Sequence, residues 1–191
     1  MVTGSFQGTV DFGGGGVTTA GGNDVYLASY NYLGTLLWSK RYGDASAQNG
    51  VGVALDSAAS VLVVGDFAGT IDFGGGAFTS AGSTDVFLVK LDSAGNLLWA
   101  HAFGDSAAQL GLSIAVDTSD NVVITGSFAG TVDFGGGALV SAGSTDVFVA
   151  KLDSAGNPVW SKHFGNASNQ NGRDVALDSV GNVVLDGDAV G

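Results

Sequence analysis

The sequence has no cysteine, a single proline and no glutamate; all eighteen acidic residues are aspartate. Without cysteine there are no disulfides and no thiolate-held zinc or iron–sulfur centres. Aspartate favours turns whereas glutamate favours helices. An acidic complement made only of aspartate, beside ample Val, Thr and Phe, therefore predicts an all-β chain. Basic residues are scarce too: Lys40, Arg41, Lys90, Lys151, Lys162 and Arg173 lie scattered along 191 residues, and the formal net charge is −12. Nucleic acid and anionic membranes need clustered cations to neutralise phosphates, so neither is an expected partner. Apolar runs reach only four residues, against the roughly 18 that a membrane-spanning helix needs. Met1 leads directly into Val2 and Phe6 with no export leader, so the start reads as a cut inside a longer unit.

What the chain does have is 45% hydrophobic residues, 33 glycines and an internal repeat. The hydrophobic share is enough for a substantial core. The glycines lack the three-residue period of collagen. The run Phe-x-Gly-Thr-(Val/Ile)-Asp-Phe-Gly-Gly-Gly begins at Phe6, Phe67 and Phe128, 61 residues apart each time. The same register carries Asp24, Asp85 and Asp146, then Trp38, Trp99 and Trp160, then Gln48, Gln109 and Gln170. The repeat units are 6–66, 67–127 and 128–188, and the last two agree at 36 of 61 positions.

Each unit predicts four strands. In the second they are A (85–91), B (97–103), C (112–116) and D (122 to about 134), with hairpin-type turns at 92–96 and 117–121 and longer B–C and D–A connections. Strand A is apolar on both alternating faces: Val86 and Leu88 on one, Phe87, Val89 and Leu91 on the other. A sheet with one wet face would alternate apolar and polar residues. A four-stranded sheet covered on both sides by copies of itself is a propeller blade. The rival β-solenoid has turns of about 20–30 residues and needs no pair of tight hairpins in each. The expected fold is thus all-β, with three four-stranded antiparallel propeller blades in a single repeat domain, 1–191.

The combined pattern of Asn-Val-Val-(Ile/Leu), Phe-x-Gly-Thr-Val-Asp-Phe-Gly-Gly-Gly, Asp-Val-Phe-x-x-Lys-Leu-Asp-x-x-Gly-Asn and a following Trp resembles the bacterial β-propeller repeats called SBBP repeats. The resemblance covers the whole chain, departing at 57–61 and at the C-terminal end. It implies a propeller fold and an exported, secreted or surface protein of a bacterium. It brings no catalytic residues.

Propellers generally use about four to eight blades, so three are expected to close by self-association. Two copies head to tail would give a six-bladed homodimer, and an open polymer is the alternative. Residues 1–8 align with 184–191, both pieces of strand D, but the C-terminal copy has Asp186 and Asp188 where the internal copy has Thr125 and Ser127. Burying carboxylates is costly. The N-terminal segment 2–12, with Val2, Phe6, Val10 and Phe12, is therefore expected to complete the last blade of a neighbouring chain beside Val175 and Leu177.

Chemistry is thinly represented. The three tryptophans are expected to pack between blades, each burying roughly 150–250 Å². Asp24, Asp85 and Asp146 are expected to accept backbone N–H groups where strand A begins. The Asp-x-x-Gly-Asn turns supply one carboxylate each, too few for a calcium ion wanting about six to eight oxygens. The Gly-rich runs lack the Lys-(Ser/Thr) and the helix of a phosphate loop. His101 and His163 sit at non-equivalent positions and form no triad or metal spacing. No catalytic residue, metal or cofactor is assigned.

The polar B–C loops remain as candidate binding elements, with Asp44, Gln48, Asn49, Asp105, Gln109, Asn166, Asn169, Gln170 and Asn171. Their side chains suit sugar hydroxyls, but the glutamines could equally do no more than tie their own loops. The expected function is a non-enzymatic, self-associating scaffold of an exported bacterial protein, with a glycan or surface protein as further partner. The alternatives are a lectin-like propeller using the B–C loops, or a fragment or engineered piece of a larger propeller.

Overall fold

Val, Ile, Leu and Phe fall on consecutive positions at 61–64, 86–89 and 122–124, so these segments have to be covered from both sides. The computed structural model describes residues 1–189, and among them there are nineteen β-strands and no helix. In chain order they are β1 (Val2–Phe6), β2 (Thr9–Asp11), β3 (Gly16–Thr18), β4 (Asp24–Tyr30), β5 (Leu36–Tyr42), β6 (Gln48–Leu55), β7 (Val61–Phe67), β8 (Thr70–Asp72), β9 (Ala77–Thr79) and β10 (Asp85–Leu91). They continue as β11 (Leu97–Phe103), β12 (Gln109–Val116), β13 (Val122–Phe128), β14 (Thr131–Asp133), β15 (Ala138–Val140), β16 (Asp146–Leu152), β17 (Pro158–Phe164), β18 (Gln170–Leu177) and β19 (Val183–Ala189).

The long strands form antiparallel sheets in the order C–D–A–B. Sheet II is β6-β7-β10-β11 and sheet III is β12-β13-β16-β17. Sheet I has three strands, β1-β4-β5, and sheet IV has two, β18-β19. Three four-stranded sheets were expected, each made within one repeat; instead each sheet joins strands C and D of one repeat to A and B of the next. The sheet break falls in the B–C loop, which carries the chain from the outer strand of one sheet to the opposite edge strand of the next.

Within one chain the N-terminal segment adds to its own first sheet. β1 pairs with β4 of its own chain, Val2 opposite Ala28 and Phe6 opposite Asp24. The place beside Val175 and Leu177 is taken by β19, where they face Leu185 and Val183. Three short strand pairs, β2-β3, β8-β9 and β14-β15, occupy what reads in sequence as the end of strand D and a loop.

Alternation within the strands feeds two cores at once. Val61 and Val63 of β7 face sheet I with Val25 and Leu27, while Leu62 and Val64 face sheet III with Val122 and Ile124. Every residue of β7, β10 and β13 is buried. The sheets converge along β6, β12 and β18, with β12 next to both of the others. A Cβ on Gly111 of β12 would meet the Val64 side chain at 2.7 Å and the Gly65 carbonyl at 2.9 Å, so only glycine allows this approach. The third core, between sheets III and IV, is smaller: Val123, Val149 and Val175, flanked by Trp160, Leu177 and Leu185.

Two ion pairs with little solvent exposure fix strand A to the C–D turn of its own sheet. Lys90 Nζ lies 2.9 Å from Asp56, and Lys151 Nζ 2.8 Å from Asp117. Burial alone would push the Asp56 and Asp117 carboxyls up. The lysine ammonium and nearby donors outweigh it and hold both below the usual carboxylate value.

Candidate interaction site

The rim where the B–C loops meet the D–A loops is built by backbone pairing. Gln109 N donates to Thr84 O at 2.8 Å, and Gln48 and Gln170 repeat the bond to Asn23 O and Thr145 O. The glutamine side chains turn inward. Gln48 and Gln109 are fully buried and Gln170 is 4% exposed. Gln109 Nε2 donates to Asp105 Oδ1 at 2.8 Å and to Ala129 O at 2.9 Å, while its Oε1 accepts from Asp105 N at 3.1 Å. Gln48 does the same with Asp44 and Ala68 O, and Gln170 with Asn166.

The loop carboxylates are equally occupied. Asp105 accepts from Ala107 N and Thr131 N, Asp44 from Ser46 N and Thr70 N, and Asn166 from Ser168 N. These donors hold the Asp105 carboxyl below its ordinary value and, at Asp44, outweigh the opposing effect of burial. Asn49 Nδ2 is bound to Asp66 at 3.0 Å, and burial pushes the Asp66 carboxyl up. Asn169 accepts from the Thr145 hydroxyl at 3.2 Å. Asn171 lies beside Asp188 in the β18-β19 pair and lines a cavity at the β16–β19 face. The rim residues singled out in the sequence thus fall on one edge, but most of their polar atoms serve the loops themselves.

The repeat aspartates show the same economy. Asp24, Asp85 and Asp146 each accept the N–H of the alanine four residues before, at 2.8–2.9 Å. Their neighbours on strand B differ. Arg41 pairs with Asp24 and His163 Nδ1 lies 3.5 Å from Asp146, but the equivalent position in the second repeat is Ala102, and Asp85 has no cation among the described residues. Burial, with the nearby Asp105 charge, leaves the Asp85 carboxyl raised. His101 packs between Trp99 and Phe103, and burial lowers its pKa. The Gly-rich runs are turns of the short hairpins: Asp72 Oδ1 accepts from Gly74 N at 2.7 Å and Gly76 N at 3.2 Å, as Asp11 and Asp133 do in their repeats. In the 92–96 turn, Asp92 accepts from Ala94 N, Asn96 N and the Asn96 amide.

The outer strands make contacts between sheets that the repeat pattern does not reveal. Trp38 Nε1 donates across to Ser93 O of the next sheet at 2.9 Å, and Trp99 Nε1 to Ser154 O at 3.3 Å. Lys40 donates to Gly95 O and Lys90 to Ser154 O. The 92–96 and 153–157 turns are thus each clasped by the strand B tryptophan of the preceding sheet. Aromatic ladders cross the same junctions. Tyr42, Phe73 and Phe87 pack in tilted contact with centroid separations of 4.9 and 5.2 Å, and Phe103, Phe134 and Phe148 with 4.9 and 4.7 Å.

These features define an all-β repeat protein of antiparallel, propeller-like sheets held face to face. No family model matches the chain. Over 111 residues, 54% of this chain, it is 32% identical to an uncharacterized WD repeat-containing protein of Acanthamoeba polyphaga mimivirus. Over 110 residues, 56% of this chain, it is 31% identical to the regulatory protein FlaEY of Caulobacter vibrioides. The matches cover 8% and 12% of those two proteins, so the chain corresponds to about a tenth of the length of these curated relatives.

Proposed function

We propose that this chain is a non-enzymatic propeller-type scaffold that associates with itself head to tail. The observation that carries this reading is the difference between its inner and outer sheets. Strands β7, β10 and β13 are buried throughout, whereas the outermost faces leave Phe164 51% and Val184 61% exposed, although their repeat equivalents Tyr42 and Val123 are buried. Apolar faces of this kind gain by being covered. The likeness to a WD repeat-containing protein supports an interaction role. The polar groups of the rim are largely spent on the loops that carry them, which supports a scaffold over a reactive or sugar-binding site. The resemblance of the repeat to SBBP repeats supports export from a bacterial cell.

Native mass measured over a range of concentrations tests the reading. Species of two or more chains that dissociate on dilution are expected. A single-chain mass at every concentration overturns it.

A further inference from the structure

Resting on the self-associating reading above, we propose that sheet I of a second copy docks on the open face of β16–β19. There Phe164 meets the second copy's Phe12–Tyr26 pair, and Trp160 clasps its 31–35 turn.

The aromatic ladders supply the first argument. In each complete ladder the first ring comes from the end of a strand B, the second from the short hairpin of the next sheet and the third from its strand A. Phe164 is the repeat equivalent of Tyr42 and Phe103, but it lies 51% exposed beside a cavity of about 450 Å³ lined by Val147, Gly172, Leu185 and Ala189. Phe12 and Tyr26, stacked at 4.7 Å, are the equivalents of Phe73–Phe87 and lack a first ring. One face has a first ring without its pair, and the other has the pair without the ring.

The tryptophan clasp is an independent argument. Trp38 and Trp99 each reach a carbonyl 55 residues further on. Trp160 makes no such bond among the described residues. The equivalent of Ser93 and Ser154 in the first repeat is Tyr32, and its turn is open: Tyr32 is 94% and Leu33 71% exposed. A Cβ on Gly34 would meet nothing within 4 Å, whereas on Gly95 or Gly156 it would lie 3.3 Å from Trp38 or 3.0 Å from Trp99. Large apolar side chains therefore stand bare on the one turn that has no tryptophan over it.

Strand β19 gives way in this docking. Its Ala189 stands where β7 and β13 carry the buried rings of Phe67 and Phe128. The second copy's Phe6, packed against Phe12 at 5.9 Å and Tyr26 at 6.2 Å, brings that ring with it. β1 then takes the place of β19 beside β18, restoring a C–D–A–B sheet across two chains. The contact is heterologous, so it closes into a ring or extends into a polymer.

The chain has no cysteine, which gives a clean test. Leu33→Cys and Lys162→Cys are both at exposed positions. Mixed and treated with a short bismaleimide, the two variants should yield a linked pair containing one of each, several-fold above either variant alone. Gly34→Asn, which keeps a residue tolerant of positive φ, should weaken association at least tenfold while leaving the single-chain melting temperature unchanged. If the parent chain associates but the mixed pair does not link, or Gly34→Asn associates normally, this docking is wrong while self-association stands. If the parent has only a single-chain mass, both readings fall.

Discussion

Replacing Gln109 with alanine separates a loop built to hold itself from a loop built to hold a ligand. The side chain is fully buried and makes three hydrogen bonds, two donated to Asp105 and Ala129 O and one accepted from Asp105 N. At about 1 kcal/mol for each bond, the loss comes to about 3 kcal/mol, before any cavity term. For a chain of this size about 2–4 °C accompanies each kcal/mol, so the melting temperature should fall by roughly 6–12 °C. Calorimetry alongside urea unfolding measures this. Gln109→Glu should lose more, because it removes both donations and sets a carboxylate against Asp105. A Gln109→Ala chain as stable as its parent would refute the reasoning, and altered glycan binding at unchanged stability would return the rim to the lectin-like reading.

Other consequences follow from buried charge and close packing. Lys90→Met strands Asp56 without its cation and should cost about 3–5 kcal/mol in urea unfolding; adding Asp56→Asn should recover much of that. Because the Asp56 and Asp117 carboxyls are held below their ordinary 3.8 by their lysines, their contribution is fully present above that pH and is lost as pH falls through the folded values. Acid titration of the melting temperature should therefore drop more steeply below 3.8 in the parent than in the Lys90→Met chain. Asp85 is the opposite case, raised by burial and lacking a cation. Asp85→Asn should stabilise by on the order of 1 kcal/mol near neutral pH, and that gain should shrink as acid protonates the parent carboxyl. Deleting 183–191 should leave association intact or tighten it, since β19 competes with an incoming β1; abolished association would contradict that order of preference.

The architecture was legible because it is periodic. Strand A with apolar residues on both faces, as in Val86 through Val89, announces a sheet covered twice, and the 61-residue register announces copies of one unit. The sheet break was not legible, because antiparallel strands joined C–D, D–A and A–B look alike in sequence; only the B–C loop's change of sheet separates the alternatives. The short hairpins hid in glycine. Gly74 and Gly76 read as a loop, while their N–H groups are gathered by Asp72 into a turn between two short paired strands. At the rim, Gln48, Gln109 and Gln170 stood out as polar and repeated, but pattern alone does not say whether a repeated amide points outward or into its own loop. The clasp was hidden for another reason: Trp38 meets Ser93, 55 residues away, so the partner is out of register with the repeat itself.

That offset also gives the most direct test of the central claim, that sheets from successive repeats lie face to face with strand B of one over the A–B turn of the next. In a chain with labelled tryptophan indoles, the Trp38 indole proton should show nuclear Overhauser contacts to the 93–95 turn, where the Gly95 Cβ position lies 3.3 Å from the ring. The Trp99 indole should likewise contact 154–156. Contacts from Trp38 to Trp99 instead, equivalent residues stacked in register as in a coil, would contradict the account.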